Sequence, residues 1–415
     1  MKRIPELLAP AGDWRNLQAA LDAGADAVYF GVKGFNMRAS ARNFTRRDLP
    51  RLVKTCHARK VRAYLTANTL VHERELPAVD TLLAAAARAG VDGVIVSDLS
   101  VLAAARRHGL EIHASTQMSV ANSASMLLLR ELGVRRFVLA RECSLDDIRR
   151  IRRELVKALG RVAAAELQIE LFAHGAMCVS VSGRCFMSEQ ATGKSANRGA
   201  CTQPCRREYR VVDDTGDREW VLGPNYIMSP KDLCTLPFIE KLVGAGADSL
   251  KIEGRLRSPE YVAVVVGAYR EALDFLGRRR GRKGWAAELE ELKVRLLARL
   301  GEVYHRGFSA GFYCGKPIGE WVNSSGNVAT KRRHLVGTVL NFYRKPSVVH
   351  LAVQDSALAE GEELIIEGAT TGFFMQRTGA VLREGQPCAR AEAGSEVTFV
   401  SERPVRRGDK VYVMR

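Results

Sequence analysis

The sequence predicts an α/β fold: a TIM-like (β/α)8 barrel with a cysteine-rich insertion, followed by a small C-terminal antiparallel β-barrel. Two observations carry the first part. Apolar, β-rich runs recur at Glu6–Pro10, Ala27–Gly31, Arg62–Ala67, Gly93–Ser97, Glu111–Ser115, Arg136–Ala140, Gln168–Ala173 and Ser249–Glu253. They are nearly continuous in Val, Ile, Leu and Ala, as parallel strands buried on both faces require. Helical patterns fill most of the intervals, at Trp14–Ala23, Ala78–Ala89, Val101–Arg107 and Leu145–Leu159. Eight strands alternating with helices over about 250 residues suit a closed barrel. The competing arrangement is a doubly wound open sheet. No G-x-G-x-x-G follows the first strand, so a dinucleotide-binding fold loses support.

Four strands are introduced by related phrases: Ala23-Gly24-Ala25-Asp26, Ala89-Gly90-Val91-Asp92, Leu132-Gly133-Val134 and Ala245-Gly246-Ala247-Asp248. Glycine just past a last helical turn is a C-cap, and the aspartate opens a short connection to the strand. Polar residues gather where the strands end: Asn68, Asp98, Gln117, Arg141-Glu142, His174 and Lys251 to Arg255. In a barrel those positions share one rim, where active sites are found.

The barrel domain spans residues 1–275, with an insertion at about 174–229 that holds the cysteine stretch and the stretches Glu208–Arg210, Trp220–Leu222 and Tyr226–Ser229. Excursions of that length from a compact domain usually serve function. A helix at Tyr261–Phe275 closes the domain. A basic linker, Arg278 to Lys283, and a helix at Ala286–Leu300 make up a segment spanning 276–334. From 335 to 415 short alternating strands take over, at Val336–Leu340, Val348–Val353, Glu363–Ile366, Glu396–Phe399 and Lys410–Val413. Glycines punctuate them, as in a small antiparallel barrel. Their phrasing resembles the β-barrel domains of translation factors.

Lys and Arg number 63 against 46 Asp and Glu, a net charge of +17. That surplus points to a polyanionic partner, RNA or DNA before others. Met1 to Trp14 lacks the apolar core of a signal peptide, and no run reaches the roughly 18 apolar residues of a membrane helix. The expected location is the cytoplasm, with no membrane partner. Thiols there stay reduced, and clustered cysteines bind metal more often than they pair.

Four of the nine cysteines, Cys178, Cys185, Cys201 and Cys205, fall in one glycine-rich segment. Four thiolates suit zinc or an iron–sulfur cluster. The spacing, C-x6-C then C-x3-C, is not the tight knuckle of structural zinc and favours iron–sulfur. Cys56, Cys143, Cys314 and Cys388 are isolated and read as core thiols. Cys234 is a fifth candidate ligand. Gly193-Lys194-Ser195 fails as a phosphate loop because Ser188 stands where its first glycine belongs. His174 with Cys178 fits no cysteine-protease signature.

Glu170-x-Phe172-x-x-Gly175-Ala176-Met177-Cys178, Gly183-Arg184-Cys185 and Asn197-Arg198-Gly199-Ala200-Cys201-Thr202-Gln203-Pro204-Cys205-Arg206 resemble the signature of peptidase family U32. The likeness extends to Glu6–Gly12, Gly24–Tyr29 and Lys251-Ile252-Glu253-Gly254-Arg255, and so covers nearly the whole chain. Despite the collagenase-like protease label, the resemblance implies an oxygen-independent hydroxylase. One branch forms 5-hydroxyuridine at the tRNA wobble position with prephenate as donor; others act on an rRNA cytidine or in ubiquinone synthesis. It also implies a [4Fe-4S] cluster held by Cys178, Cys185, Cys201 and Cys205, the last the least firmly placed because some relatives use a ligand further downstream.

On this reading tRNA is the favoured substrate, as the charge agrees and the Cys201-x-x-x-Cys205-Arg206 ending matches that branch. Arg184, Arg198, Arg206, Lys251 and Arg255 are expected to bind substrate, arginines being suited to carboxylates. Glu170, His174 and Glu253 are expected to move or orient protons. The alternatives are rRNA cytidine hydroxylation, a peptidase, and a non-catalytic RNA-binding protein with a structural cluster.

Overall fold

A computed structural model of the chain describes residues 4–209, 211–212, 214–215, 219–220, 226–322 and 326–415. Its core is a closed parallel barrel of eight strands: Glu6–Ala11, Ala27–Gly31, Arg62–Ala67, Gly93–Val96, Ile112–Ala114, Val134–Val138, Gln168–Gly175 and Ser249–Ile252. Each pairs in parallel with the next, and the eighth returns to the first with Glu6 opposite Ser249. That closure rules out the open doubly wound sheet. Each expected strand is present, within two residues or so at either end.

The recurring phrases do two jobs. Gly24, Gly90, Gly133 and Gly246 have φ between 75° and 106°, the left-handed conformation that ends a helix. The aspartates that follow lock neighbouring strands together. The carboxylate of Asp26 accepts from the backbone N–H of Leu7 at 2.8 Å, Asp92 from Ala63 at 2.7 Å and Asp248 from Ile169 at 2.8 Å. Helices at Leu49–His57, Ser123–Glu131 and Ile239–Ala245 complete the outer ring. No helix among the described residues is long and apolar enough to cross a membrane.

Of the stretches named in the insertion, Arg210 and 221–222 lie outside the described residues. Short strands run at Val211–Val212, Glu219–Trp220 and Tyr226–Pro230. The strand Asp232–Cys234 then joins the barrel sheet antiparallel to the end of the seventh strand. The segment 276–334 packs back onto the barrel. Its basic run begins inside the helix Pro259–Arg279, where Arg279 pairs with Glu288 of the helix Trp285–Gly301. Phe308–Ser309 then pairs with Asp232–Leu233.

The C-terminal module is an antiparallel sheet of eight strands, with Arg333–Tyr343 paired centrally to Val348–Val353 and Lys410–Met414. It has its own core, including Val336, Leu351, Leu364 and Phe399. Its other face docks on the barrel: Ile365 and Phe373 join the barrel's core, and Arg15 meets Glu367 at 3.1 Å.

Candidate functional site at the barrel mouth

Strand alternation points every second residue into the barrel. TIM-barrel interiors are usually filled by branched apolar side chains. Here charge runs through the middle. Glu6 binds Arg62 and Tyr64 and takes Arg136 Nη1 at 2.5 Å; Arg136 reaches Glu170 at 3.4 Å; Glu170 Oε1 takes Lys251 Nζ at 2.9 Å. Burial works against the charge of Glu170, but Lys251 and Arg136 outweigh it and hold the carboxyl below its usual range. Lys251 is thereby fixed at the top of the stack, 4.4 Å over the ring of Tyr29.

Above Lys251 lies a cavity of about 160 Å³ at the C-terminal ends of the strands. Glu253 and Arg255 rise into it from the eighth strand, Arg141 from the end of the sixth, and Asn68, Ser115 and Gln117 from the third and fifth. Glu253 Oε1 meets Arg38 Nη2 at 3.0 Å. Burial opposes the charge of Glu253 too, and Arg38, Arg257 and Arg141 overcome it, keeping the carboxyl low. Asn68 ties the strand ends, donating to Ser115 at 3.1 Å and Gln117 at 3.0 Å.

The cations outnumber the anions. Arg38, Arg141, Arg206, Lys251, Arg255 and Arg306 line the cavity, against the single carboxylate of Glu253. Three of these guanidiniums have only neutral hydrogen-bond partners. Arg141 donates to the Ala176 carbonyl at 2.6 Å and lies 3.9 Å over the ring of Phe172. Arg255 donates to Asn36 at 3.0 Å and Thr66 at 2.8 Å. Arg206 donates to Ser229, Pro230 and Met177 at 2.5–2.7 Å. Burial lowers all three, Arg255 to about 10. A buried cation short of an anion is costly. The arrangement suits an anionic ligand.

Cys178, Cys185, Cys201 and Cys205 all line this same cavity, Cys178 and Cys201 exposed and the other two half-buried. Ser180 N–H points at Cys178 Sγ at 3.5 Å, and Met187 N–H at Cys185 Sγ at 3.3 Å. Backbone donors to sulfur are among the devices that tune iron–sulfur centres. Burial pushes the Cys205 thiol up, against the opposing charge of Arg206. Among the described residues no three Cys, His, Asp or Glu side chains are gathered closely enough to grip one ion. Four thiols around one cavity are the donor set of an iron–sulfur cluster.

The segment is pressed against the loop leaving the second strand. Ala39 N–H donates to the Gly199 carbonyl at 3.0 Å, and a Cβ on Gly199 would fall 2.2 Å from the Asn36 carbonyl oxygen. Only glycine fits there, and its φ of 83° is one glycine readily adopts.

Other sequence-predicted residues lie elsewhere. Glu170 is fully buried beneath Lys251 and is not among the residues lining this cavity, so it supports a neighbour rather than meeting substrate. His174 follows Glu170 and Phe172 by simple alternation, which would aim it inward. A register shift between Lys251 and Ile252 turns it outward instead. It sits among Tyr261, Tyr269 and Phe308, and burial, with His305 and Arg257, lowers it to about 3. A proton-transfer role for His174 is therefore not carried further. Arg184 is exposed and donates to Ser119 at 2.8 Å. Arg198 clamps the segment to Glu75 and the Leu70 carbonyl, outside the cavity.

Cys234 is buried behind the seventh strand beside Tyr269, pushed up to about 11, and away from the other four sulfurs' cavity. Cys56 and Cys143 are buried thiols as expected, whereas Cys314 is exposed and Cys388 half-exposed. Sequence reasoning missed Arg38, Arg306 and Tyr29. Arg38 and Arg306 stand outside the strands, and Arg306 reaches the site by its pairing with Asp232 at 2.8 Å.

A family model described as peptidase family U32 matches residues 12–323. Over 409 residues the chain is 37% identical to a collagenase of Porphyromonas gingivalis, covering 98% of this chain and 97% of that one. It is 34% identical over 369 residues to a tRNA hydroxylation protein of Bacillus subtilis, covering 87% and 82%. A third relative, a 23S rRNA 5-hydroxycytidine synthase of Escherichia coli, is 38% identical over 276 residues, which are 66% of this chain and 40% of that one.

Proposed function

Since the chain belongs to peptidase family U32, we propose that it is an RNA-hydroxylating enzyme working at the barrel mouth. The preferred substrate is tRNA, the product 5-hydroxyuridine at the wobble position, and the hydroxyl donor prephenate. The observation that carries this reading is the cavity's charge, six cations against one carboxylate, beside four cysteines. RNA and a dicarboxylate donor are both anions; a neutral peptide bond has no need of such a site. No histidine among the described residues lines the cavity, which leaves Cys178 without the base a thiol peptidase requires.

In this reading Cys178, Cys185, Cys201 and Cys205 hold a [4Fe-4S] cluster. When bound, it supplies one-electron redox chemistry or a Lewis-acidic iron. Arg141, Arg206 and Arg255 hold the donor's carboxylates, each guanidinium free of a competing acidic partner. Glu253, kept ionised by Arg38, accepts a hydrogen bond or proton from substrate. Burial lowers Lys251 and Glu170 opposes that shift, holding its amine as an N–H donor at the cavity floor. Closing off bulk water strengthens each of these contacts.

The relative named as a 23S rRNA 5-hydroxycytidine synthase supports a second reading, cytidine hydroxylation in large-subunit rRNA. Mass spectrometry of tRNA and rRNA nucleosides from a deletion strain separates the two. Loss of tRNA 5-hydroxyuridine and its derivatives is the expected result, and loss of rRNA 5-hydroxycytidine instead selects the second reading. Unchanged nucleosides together with cleavage of denatured collagen would return the protein to peptidase chemistry.

A further inference from the structure

Two chain segments flank the cavity, and most of their exposed charge lies outside its lining. The loop 32–48 carries Lys33, Arg38, Arg42, Arg46 and Arg47 against Asp48 alone. All but Arg38 of those cations are exposed. The cysteine segment adds exposed Arg184, Lys194 and Arg207, with Glu189 and Glu208 as its exposed carboxylates. Contact at Gly199 joins the two into one basic collar on the face where the strands end. At its inner edge stands Phe186, between Cys185 and Met187, both of which line the cavity. Among the described residues only two Phe, Tyr or Trp side chains are open to solvent, Phe186 at 68% and Tyr343 at 46%.

We propose that this collar grips a single-stranded RNA loop, with Phe186 stacking the nucleobase next to the one held in the cavity. The exposed arginines of the two segments meet the flanking phosphates. The proposal rests on the reading that RNA is the substrate. Three considerations lead to it. A base inside a duplex cannot enter a cavity at the bottom of a barrel mouth, so the target must be unpaired or extruded. Unpaired RNA is recognised by stacking on aromatic faces backed by a basic groove, and both ingredients stand here together. The two segments expose seven Lys and Arg side chains against two carboxylates, Glu189 and Glu208, a balance that favours a phosphate backbone.

The test uses the full chain with labelled RNA in fluorescence anisotropy: a stem–loop with an unpaired loop, and a fully paired duplex. Phe186→Ala is expected to weaken stem–loop binding about tenfold or more, leaving duplex binding unchanged, while Phe186→Trp retains it. The double variant Arg46→Glu, Arg47→Glu is expected to weaken both RNAs and flatten the salt dependence. An unchanged melting midpoint identifies variants that still fold. Each gene is then returned to the deletion strain and RNA nucleosides are measured. Equal stem–loop affinity for Phe186→Ala and wild type overturns the proposal. If wild type restores a modified nucleoside and Phe186→Ala restores it equally, the stacking role falls and the enzyme reading stands. If wild type neither binds RNA nor restores a nucleoside, both fall.

Discussion

Glu170 Oε1 accepts from Lys251 Nζ at 2.9 Å at the centre of the barrel, where both side chains are almost completely withdrawn from solvent. With Arg136 and Glu6 beneath, the pair forms a charged column where apolar layers are usual. Such a column holds one particular side chain, Lys251, upright at the cavity floor. Its cost appears when one partner is removed. Glu170→Gln is expected to lower unfolding stability by about 3–5 kcal/mol, and Glu170→Gln with Lys251→Met to recover part of that. Urea unfolding of the three proteins checks it; a Glu170→Gln protein as stable as wild type would show that the column is not coupled.

Gly199 and Gly193 make a controlled comparison. Both have positive φ, 83° and 69°, but a Cβ on Gly199 strikes the Asn36 carbonyl whereas nothing lies within 4 Å of one on Gly193. Gly193→Ala should cost only the conformational penalty, about 1–2 kcal/mol. Gly199→Ala must also push the cysteine segment off the loop 32–48, and so should lose more stability and, on the cluster reading, bound iron. Equal effects of the two substitutions would mean the contact at Asn36 does not hold the segment.

Cysteine replacements should sort by place. Serine at Cys178, Cys185, Cys201 or Cys205 is expected to reduce iron and acid-labile sulfide in anaerobically purified protein from about four per chain. Cys234→Ser is expected to leave the metal content alone and lower the melting midpoint, because it puts a hydroxyl in the apolar space beside Tyr269. Metal loss in Cys234→Ser with none in Cys205→Ser would exchange the two roles.

His174 gives a pH dependence with a definite sign. Its folded value is about 3, below the ordinary 6.5, so the native state keeps it neutral while the unfolded chain takes up a proton below about pH 6.5. Its contribution is complete above that pH and is lost as pH falls toward 3. The slope from this one group is at most about 1.4 kcal/mol per pH unit. Urea midpoints should therefore fall from pH 7.5 to pH 5, and fall less in His174→Phe, which keeps an aromatic ring among Tyr261, Tyr269 and Phe308. An identical pH dependence in the variant would assign the acid sensitivity elsewhere, His113 being the next buried imidazole.

The barrel was legible in the chain because its signals are local. A strand buried on both faces reads as a short apolar run, and a helix end reads as glycine before a strand. Even the strand-locking aspartates, Asp26, Asp92 and Asp248, repeat in the same phrase. The cysteines were legible for the same reason, being four in one segment. The helix Leu49–His57 escaped notice although its buried face, Leu49, Leu52, Val53 and Cys56, has helical spacing.

What tertiary structure alone decided is which side chains meet. Glu6 finds Arg136 across 130 residues, Arg38 finds Glu253 across 215, and Arg306 comes to the cavity through Asp232. No pattern along the chain encodes such pairs, since each depends on closing the sheet and folding loops over its mouth. His174 shows the finest case. Alternation aims it at the active face, and one shift in strand register turns it into the wall behind. The sequence by itself determined a barrel, its polar rim and a four-thiol segment; closure and register determined which of the rim residues face the cavity, because facing is set by neighbours distant in the chain.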